Sequence, residues 1–260
     1  MEPGTISLTC DVSIASSYTS PSQRARVISE SWFQSNIYCL ACDSDLLVRS
    51  APNTMATDFK CLICGHKYEL KTFRKRPYKS LVDGAYSSLI SRINAGLTPT
   101  LCLLERNDAW EVKSLTAIHA SLLTAWAVQP RPPLSPTARR AGWVGCNIRL
   151  DRIPADGEIT LIADGVEQSK EETRRKFQQF LPLSKFSADQ RGWTALTLSI
   201  VRKLPDRTFS LRDLYAKQEE FSAVYPQNRH VRAKIRQQLQ ILRDFGVLAF
   251  KGNGDYSLLD

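Results

Sequence analysis

The chain has 260 residues, enough for one larger domain and one small one, each burying a core of its own. At 43% hydrophobic and 23% charged, its composition is that of a globular protein and excludes extensive disorder. The 35 basic against 26 acidic side chains give a net charge of +9, which favours polyanionic partners, and no apolar run approaches the ~18 residues that a membrane span needs.

The N-terminus MEPGTISLTC lacks a basic start and an apolar stretch, so a cytoplasmic protein without membrane association is expected. Residues 1–22 are rich in Ser and Thr and carry no strong pattern. QRARVISESWF then places Ala25, Ile28, Trp32 and Phe33 at helical spacing. A cysteine-rich stretch, 38–71, leads into KTFRKRPYK, which has five cationic side chains and no acidic one. VDGAYSSLISRINA at 82–95 reads as a helix ended by Gly96. TLCLLE (100–105) and WEVKSL (110–115) read as a strand pair about the turn residues Asn107 and Asp108. PRPPLSP at 130–136 excludes regular helix and central strand and predicts a connector. CNIRL and ITLIAD read as strands, and 168–180 as a polar helix.

Around Leu181 to Lys185 the sequence changes character, which sets the expected domains at 1–183 and 184–260. Helices are expected at 188–203, 210–222 and 228–245, the last with Asn228 as N-cap and Gly246 as its stop. VLAFKGNGDYSLL then gives two apolar strands about Gly252, Asn253 and Gly254. Three helices followed by a hairpin is the order of a winged helix.

Of the seven cysteines, four form two CxxC pairs, Cys39 with Cys42 and Cys61 with Cys64, separated by 18 residues. That spacing suits one tetrahedral Zn²⁺ held by four thiolates. Such a zinc is structural, because four thiolates leave no open position for water or substrate. Cys10, Cys102 and Cys146 are expected to be small buried residues with reduced thiols.

The second CxxC lies in TDFKCLICGHKYELK, which reads as strand, turn and returning strand. If Cys61 pairs with His66, then Lys60 faces Lys67, Phe59 faces Tyr68, and Asp58 falls opposite Glu69. Opposed carboxylates repel unless a cation lies between them, and hard oxygen ligands suit Mg²⁺. Lys71 shares the face of Glu69 by the two-residue period of a strand, where it can orient a water or stabilise charge in a transition state.

Over most of its length the chain resembles nucleases with the PD-(D/E)xK core and, more closely, the DpnI-type restriction endonucleases. The most specific stretches are the CxxC pairs with TDFKCLICGHKYELK, DGAY at 83–86, PTARRAGWVGCNI at 136–148 and KIRQQLQILRDFGVLAFKG at 234–252. The resemblance implies an α/β PD-(D/E)xK nuclease core with a four-cysteine zinc site, followed by a small α+β winged-helix domain. It implies Asp58, Glu69 and Lys71 as the catalytic triad and catalytic Mg²⁺ at Asp58, Glu69 and Leu70. The implied reaction is type II, methyl-directed hydrolysis of double-stranded DNA at GATC whose adenine carries an N6-methyl group. Thr57 stands where the superfamily's proline would precede the first carboxylate, and Pro52 lies nearby. Residues 1–22 and 97–130 evoke the family much less and receive no role.

In helix 228–245, Val231, Ile235, Leu239 and Leu242 form an apolar stripe and leave Arg229, Arg232, Arg236, Gln237 and Gln240 on other faces. That composition suits base reading in a major groove, with Lys234 and Lys251 as candidates for phosphate contact and His230 beside them. Trp143, flanked by Gly142 and Gly145 and preceded by Arg139 and Arg140, is a candidate apolar lining for an N6-methyl group. His66, His119 and His230 are expected to have no catalytic role. The expected partner is double-stranded DNA with methylated GATC, bound by a monomer. Two other readings use the same residues: a zinc-ribbon and winged-helix regulator that binds DNA without cutting, and a nuclease of this fold with another target. The ExK pair favours a nuclease.

Overall fold

Pro21, whose missing N–H is tolerated in a first turn, opens helix α1 (Pro21–Asn36), and Ile28, Trp32 and Phe33 on its inner face are buried. Strands β1 (Val48–Arg49), β2 (Phe59–Lys60), β3 (Lys67–Phe73) and β4 (Ser80–Ala85) lead into helix α2 (Tyr86–Ala95). Strands β5 (Thr100–Arg106), β6 (Val112–Ile118), β7 (Val128–Pro130), β8 (Gly145–Arg149), β9 (Glu158–Ala163) and β10 (Val166–Glu167) precede helix α3 (Lys170–Gln179). The remainder is α4 (Ala188–Val201), β11 (Thr208–Ser210), α5 (Leu211–Ala216), α6 (Gln218–Val224), α7 (Val231–Asp244), β12 (Leu248–Gly252) and β13 (Asp255–Leu258). The computed structural model describes residues 6–51 and 57–259, so Pro52 lies outside the described residues.

Residue contacts divide the chain into two units. The first comprises Met1–Pro77, Pro99–Ala120 and Gly157–Leu181. Its sheet has the strand order β1-β2-β3-β5-β6-β9-β10, with β3 and β5 parallel and the other neighbours antiparallel. Side chains alternate between faces along each strand. One face carries Phe59, Tyr68, Cys102, Leu104, Leu115 and Ala117, which form a core with Trp32 and Phe33 of α1 and Phe177 of α3. Lys60, Lys67, Glu69 and Lys71 are therefore assigned to the other face.

The second unit comprises Tyr78–Thr98, Ser121–Asp156 and Pro182–Asp260. It holds the sheet β4-β8-β7 and the sheet β11-β13-β12. Helix α4 opens on a reciprocal Ser187–Gln190 capping box, and its Trp193 stacks on Tyr225 with ring centroids 4.2 Å apart. Buried Arg191 of α4 donates to the carbonyls of Ile93 in α2 and of Phe186. Grouping by contact thus differs from a division at 183/184, because Tyr78–Thr98 and Ser121–Asp156 cluster with the C-terminal part.

Four sequence expectations need local revision. Residues 82–85 are strand rather than helix, because Val82 and Asp83 pair with Asn147 and Cys146 of β8 and the helix starts only at Tyr86. Strand pairing outweighs a weak helical preference in a segment containing Asp and Gly. The expected helix 210–222 is broken at Lys217 into α5 and α6, with Glu219 and Glu220 in the first turn of α6, where the helix dipole favours acids. Helix α7 has His230 rather than Asn228 at its N-cap, since the Asn228 carboxamide instead accepts the His230 N–H. The short strand β11 was not anticipated; it pairs with β13 and makes the wing three-stranded.

Candidate active site and metal centre

The four CxxC sulfurs lie within 4.8 Å of one another, and all four cysteines are free of disulfides. Cys39 Sγ is 3.6 Å from Cys64 Sγ, and Cys42 Sγ is 3.6 Å from Cys61 Sγ. Tetrahedral Zn–S bonds of about 2.3 Å place sulfurs just under ~4 Å apart, so the cluster can hold zinc. Tyr68 Oη accepts the Leu40 N–H at 2.9 Å and lies 3.3 Å from Cys39 Sγ, which leaves its own hydrogen for the sulfur. Against the desolvation that burial imposes, amides of Cys64 and Ile63 and the Ser44 hydroxyl hold the Cys61 thiol down to about 6. From α3, Arg174 donates to the Cys39 and Ser44 carbonyls at 2.9 and 2.8 Å and fixes the first knuckle.

The cluster closes the β2–β3 hairpin. Cys61 N–H donates to the His66 carbonyl at 2.9 Å, Lys60 pairs with Lys67 and Phe59 pairs with Tyr68, which is the register expected from the sequence. The ladder stops there. Asp58 N–H donates to the Tyr68 carbonyl, so Asp58 does not continue as a ladder pair with Glu69. Its carboxylate reaches across instead, with Oδ2 accepting the Leu70 N–H at 2.7 Å. On the returning strand Lys71 Nζ lies 2.8 Å from Glu69 Oε1, both side chains being largely covered. Both carboxylates bear on Cys102, whose thiol is pushed far above its usual range by burial and then by the charges of Asp58 and Glu69.

A third carboxylate escaped the sequence reading. Glu30 of α1 has 16% of its side chain exposed and ion-pairs with Arg26 at 3.2 Å and Arg49 at 3.8 Å. Burial raises its carboxyl pKa, Arg26 and Arg49 lower it, and the Asp58 charge raises it, so Glu30 feels the same site. The only advance signal was its i,i+4 spacing from Arg26. Leu70, one residue beyond Glu69, packs against the core, and its amide is the donor to Asp58. His66 Nε2 bonds Thr100 Oγ1 at 2.8 Å, and His119 lies against Phe177 with centroids 4.3 Å apart. Both imidazoles belong to the packed face. Cys10, Cys102 and Cys146 are buried and form no disulfide.

The remaining candidates belong to the second unit. On α7, Val231, Ile235, Leu239 and Leu242 are buried, as is Gln238, whose amide oxygen accepts from Thr194 at 2.7 Å. Arg229, His230, Arg232, Arg236, Gln237 and Gln240 are exposed, as is Lys251 on β12. Arg232 donates to Gln218 Oε1 at 3.0 Å and Arg236 to Tyr215 Oη at 2.9 Å, while Lys234 lies 3.9 Å from Asp189. Arg139 and Arg140 are exposed in the segment between β7 and β8. The half-buried Trp143 ring has the Arg140 guanidinium 4.8 Å from its centroid. A Cβ on Gly145 would lie 2.9 Å from that ring, so the glycine is what lets the indole settle there.

No helix among the described residues is long and apolar enough to cross a membrane. The model of the Dam-replacing family matches residues 6–186, and that of the Dam-replacing HTH domain matches residues 189–257. These matches join a mixed α/β core to a DNA-binding helix-turn-helix domain. The chain therefore belongs to the Dam-replacing family, the DpnI-type restriction endonucleases with a C-terminal winged helix.

Proposed function

We propose that the protein is a methyl-directed type II restriction endonuclease that hydrolyses double-stranded DNA at GATC carrying N6-methyladenine. The reading rests chiefly on Asp58 and Glu69 bearing on one locus, with Lys71 at 2.8 Å from Glu69, on a hairpin closed by the cysteine cluster. Asp58, Glu69 and Lys71 are the proposed catalytic residues, and Asp58, Glu69 and Leu70 the proposed Mg²⁺ ligands. Hard carboxylate oxygens on one strand pair suit that ion. When bound, Mg²⁺ supplies Lewis acidity toward the scissile phosphate and acidifies a water. The Leu70 amide fixes one Asp58 oxygen, so the carboxylate is oriented before substrate arrives. Lys71 holds Glu69 and places a positive charge where negative charge grows on the phosphate oxygens.

Residues 1–183 are the proposed nuclease domain and 184–260 the proposed DNA-reading domain. Arg139, Arg140 and Trp143, with Arg229, His230, Arg232, Lys234, Arg236, Gln237 and Lys251, are the proposed DNA contacts of a monomer. An N6-methyl group removes one donor hydrogen and adds apolar bulk in the major groove, so its recognition requires an apolar surface. The Trp143 indole, seated over Gly145, supports that assignment. Plasmid from an adenine-methylating host and from a non-methylating host should be incubated with the protein and Mg²⁺. Cleavage of the first alone is expected. Equal cleavage of both would defeat methyl direction, and cleavage of neither would defeat the nuclease reading.

A further inference from the structure

Lys60 and Lys67 are a ladder pair across the β2–β3 hairpin. Directly opposed residues have Cβ atoms about 4.5–5.5 Å apart, and like charges so placed are destabilising. Both lysines are exposed, and neither joins an ion pair with a described residue, in contrast to Lys71. The face they occupy is fixed, because the alternating residues Phe59 and Tyr68 are each 0% exposed in the core. Lys67 therefore shares a face of β3 with Glu69 two residues after it, and Lys60 stands opposite Lys67 on that face. Two residues of strand span about 7 Å, so the lysine pair stands one side-chain length from Glu69, a candidate catalytic carboxylate. Beyond it the turn exposes Leu62 and Ile63, at 68% and 79%. A repulsive cation pair next to apolar surface, with no ion-pair partner among the described residues, matches a polyanion that also offers sugar edges.

We propose that Lys60 and Lys67 form a phosphate clamp that holds the DNA backbone beside the scissile phosphate, with the turn at Leu62 and Ile63 lying against the same strand. This rests on the nuclease reading of Asp58, Glu69 and Lys71. The clamp is a positioning device, independent of base sequence, and it uses the repulsion between the lysines: phosphate neutralises both at once.

The test is the salt dependence of binding of the full-length, zinc-loaded protein to a short methylated duplex, without added Mg²⁺. Each phosphate contact contributes about 0.9 to the slope of log affinity against log salt. K60M/K67M, which keeps apolar stems, should lower the slope by about 2 and weaken binding to methylated and plain duplexes by the same factor, while K60R/K67R keeps the wild-type slope. Thermal stability of K60M/K67M should equal or exceed wild type, because a repulsive pair has been removed. A folded K60M/K67M with the wild-type slope would overturn the clamp, as would weakened binding that K60R/K67R fails to restore. Cleavage of methylated plasmid by wild type is scored in parallel. Wild type that binds but never cuts with Mg²⁺ defeats the nuclease reading, whereas wild type that cuts while K60M/K67M keeps its slope defeats the clamp alone.

Discussion

Asp58 and Glu69 are two carboxylates in different surroundings. Asp58 accepts a backbone N–H at 2.7 Å, whereas Glu69 has an ammonium at 2.8 Å. Asp58→Ala and Glu69→Ala should abolish cleavage while methylated duplex is still bound, because the winged helix retains its contacts. Lys71→Ala should lower kcat by about 100-fold or more, the scale for removing one charge-stabilising donor. Single-turnover cleavage with a parallel binding titration checks all three, and an Asp58→Ala protein cutting within severalfold of wild type would refute the assignment. His119 offers a separate test at this scale. Burial, and then the nearby His66, hold its imidazole down to about 3 from an ordinary 6.5. The unfolded chain therefore binds the extra proton first. The contribution is complete above about 6.5 and is lost progressively as pH falls from there toward about 3. His119→Gln cannot take up that proton, so its urea midpoint should change less between about pH 7 and pH 4 than that of wild type. Equal changes would show that His119 is not the group responsible.

At the scale of elements, β2 is only two residues long, and its neighbour β1 is no longer. Such strands hold a register poorly by ladder bonds alone. The cysteine cluster ties the turn Cys61–Cys64 to Cys39 and Cys42, and α3 ties Cys39 through Arg174. Zinc binding at such sites is coupled to folding. Zinc removal, or Cys61→Ser, should therefore eliminate cleavage by loosening the hairpin, and excess Mg²⁺ should not restore it, whereas returning zinc to the wild-type apoprotein should. Metal content, protease sensitivity of the hairpin and activity, measured together, check this; full activity in zinc-free protein would refute it. Hairpin register was legible because CxxC and Gly65 mark the turn and Phe59 and Tyr68 mark the buried face. The strand at 82–85 was not, because its partner β8 lies some sixty residues on and no local period announces it.

Across the whole molecule, the division of labour can be tested by cutting the chain between residues 183 and 184. Residues 184–260 carry 13 basic and 8 acidic side chains, so this fragment should bind DNA with a steep salt dependence. Fragment 1–183 should cut methylated DNA more weakly than the full chain, having lost a tethered second contact. The cut also removes Arg191 from the Ile93 carbonyl and Arg202 from its ion pair with Asp156. Fragment 1–183 should therefore melt below the full chain, by an amount that adding 184–260 in trans partly recovers. Equal melting temperatures would mean that these contacts contribute nothing to stability.

Short-range chemistry was readable from the chain alone. The two CxxC pairs, the alternation through Phe59 and Tyr68, the stripe Val231–Ile235–Leu239–Leu242 and the Gly252–Gly254 turn depend on residues a few positions apart. Spacing therefore expresses them directly. Contacts between distant segments were decided only by the fold: the Asp58 carboxylate capping the Leu70 amide, and Glu30 of α1 feeling the Asp58 charge. Grouping of Tyr78–Thr98 and Ser121–Asp156 with the C-terminal residues is of the same kind. Linear periodicity records which face of an element is buried, but the partner of that face is selected by packing among segments far apart in sequence.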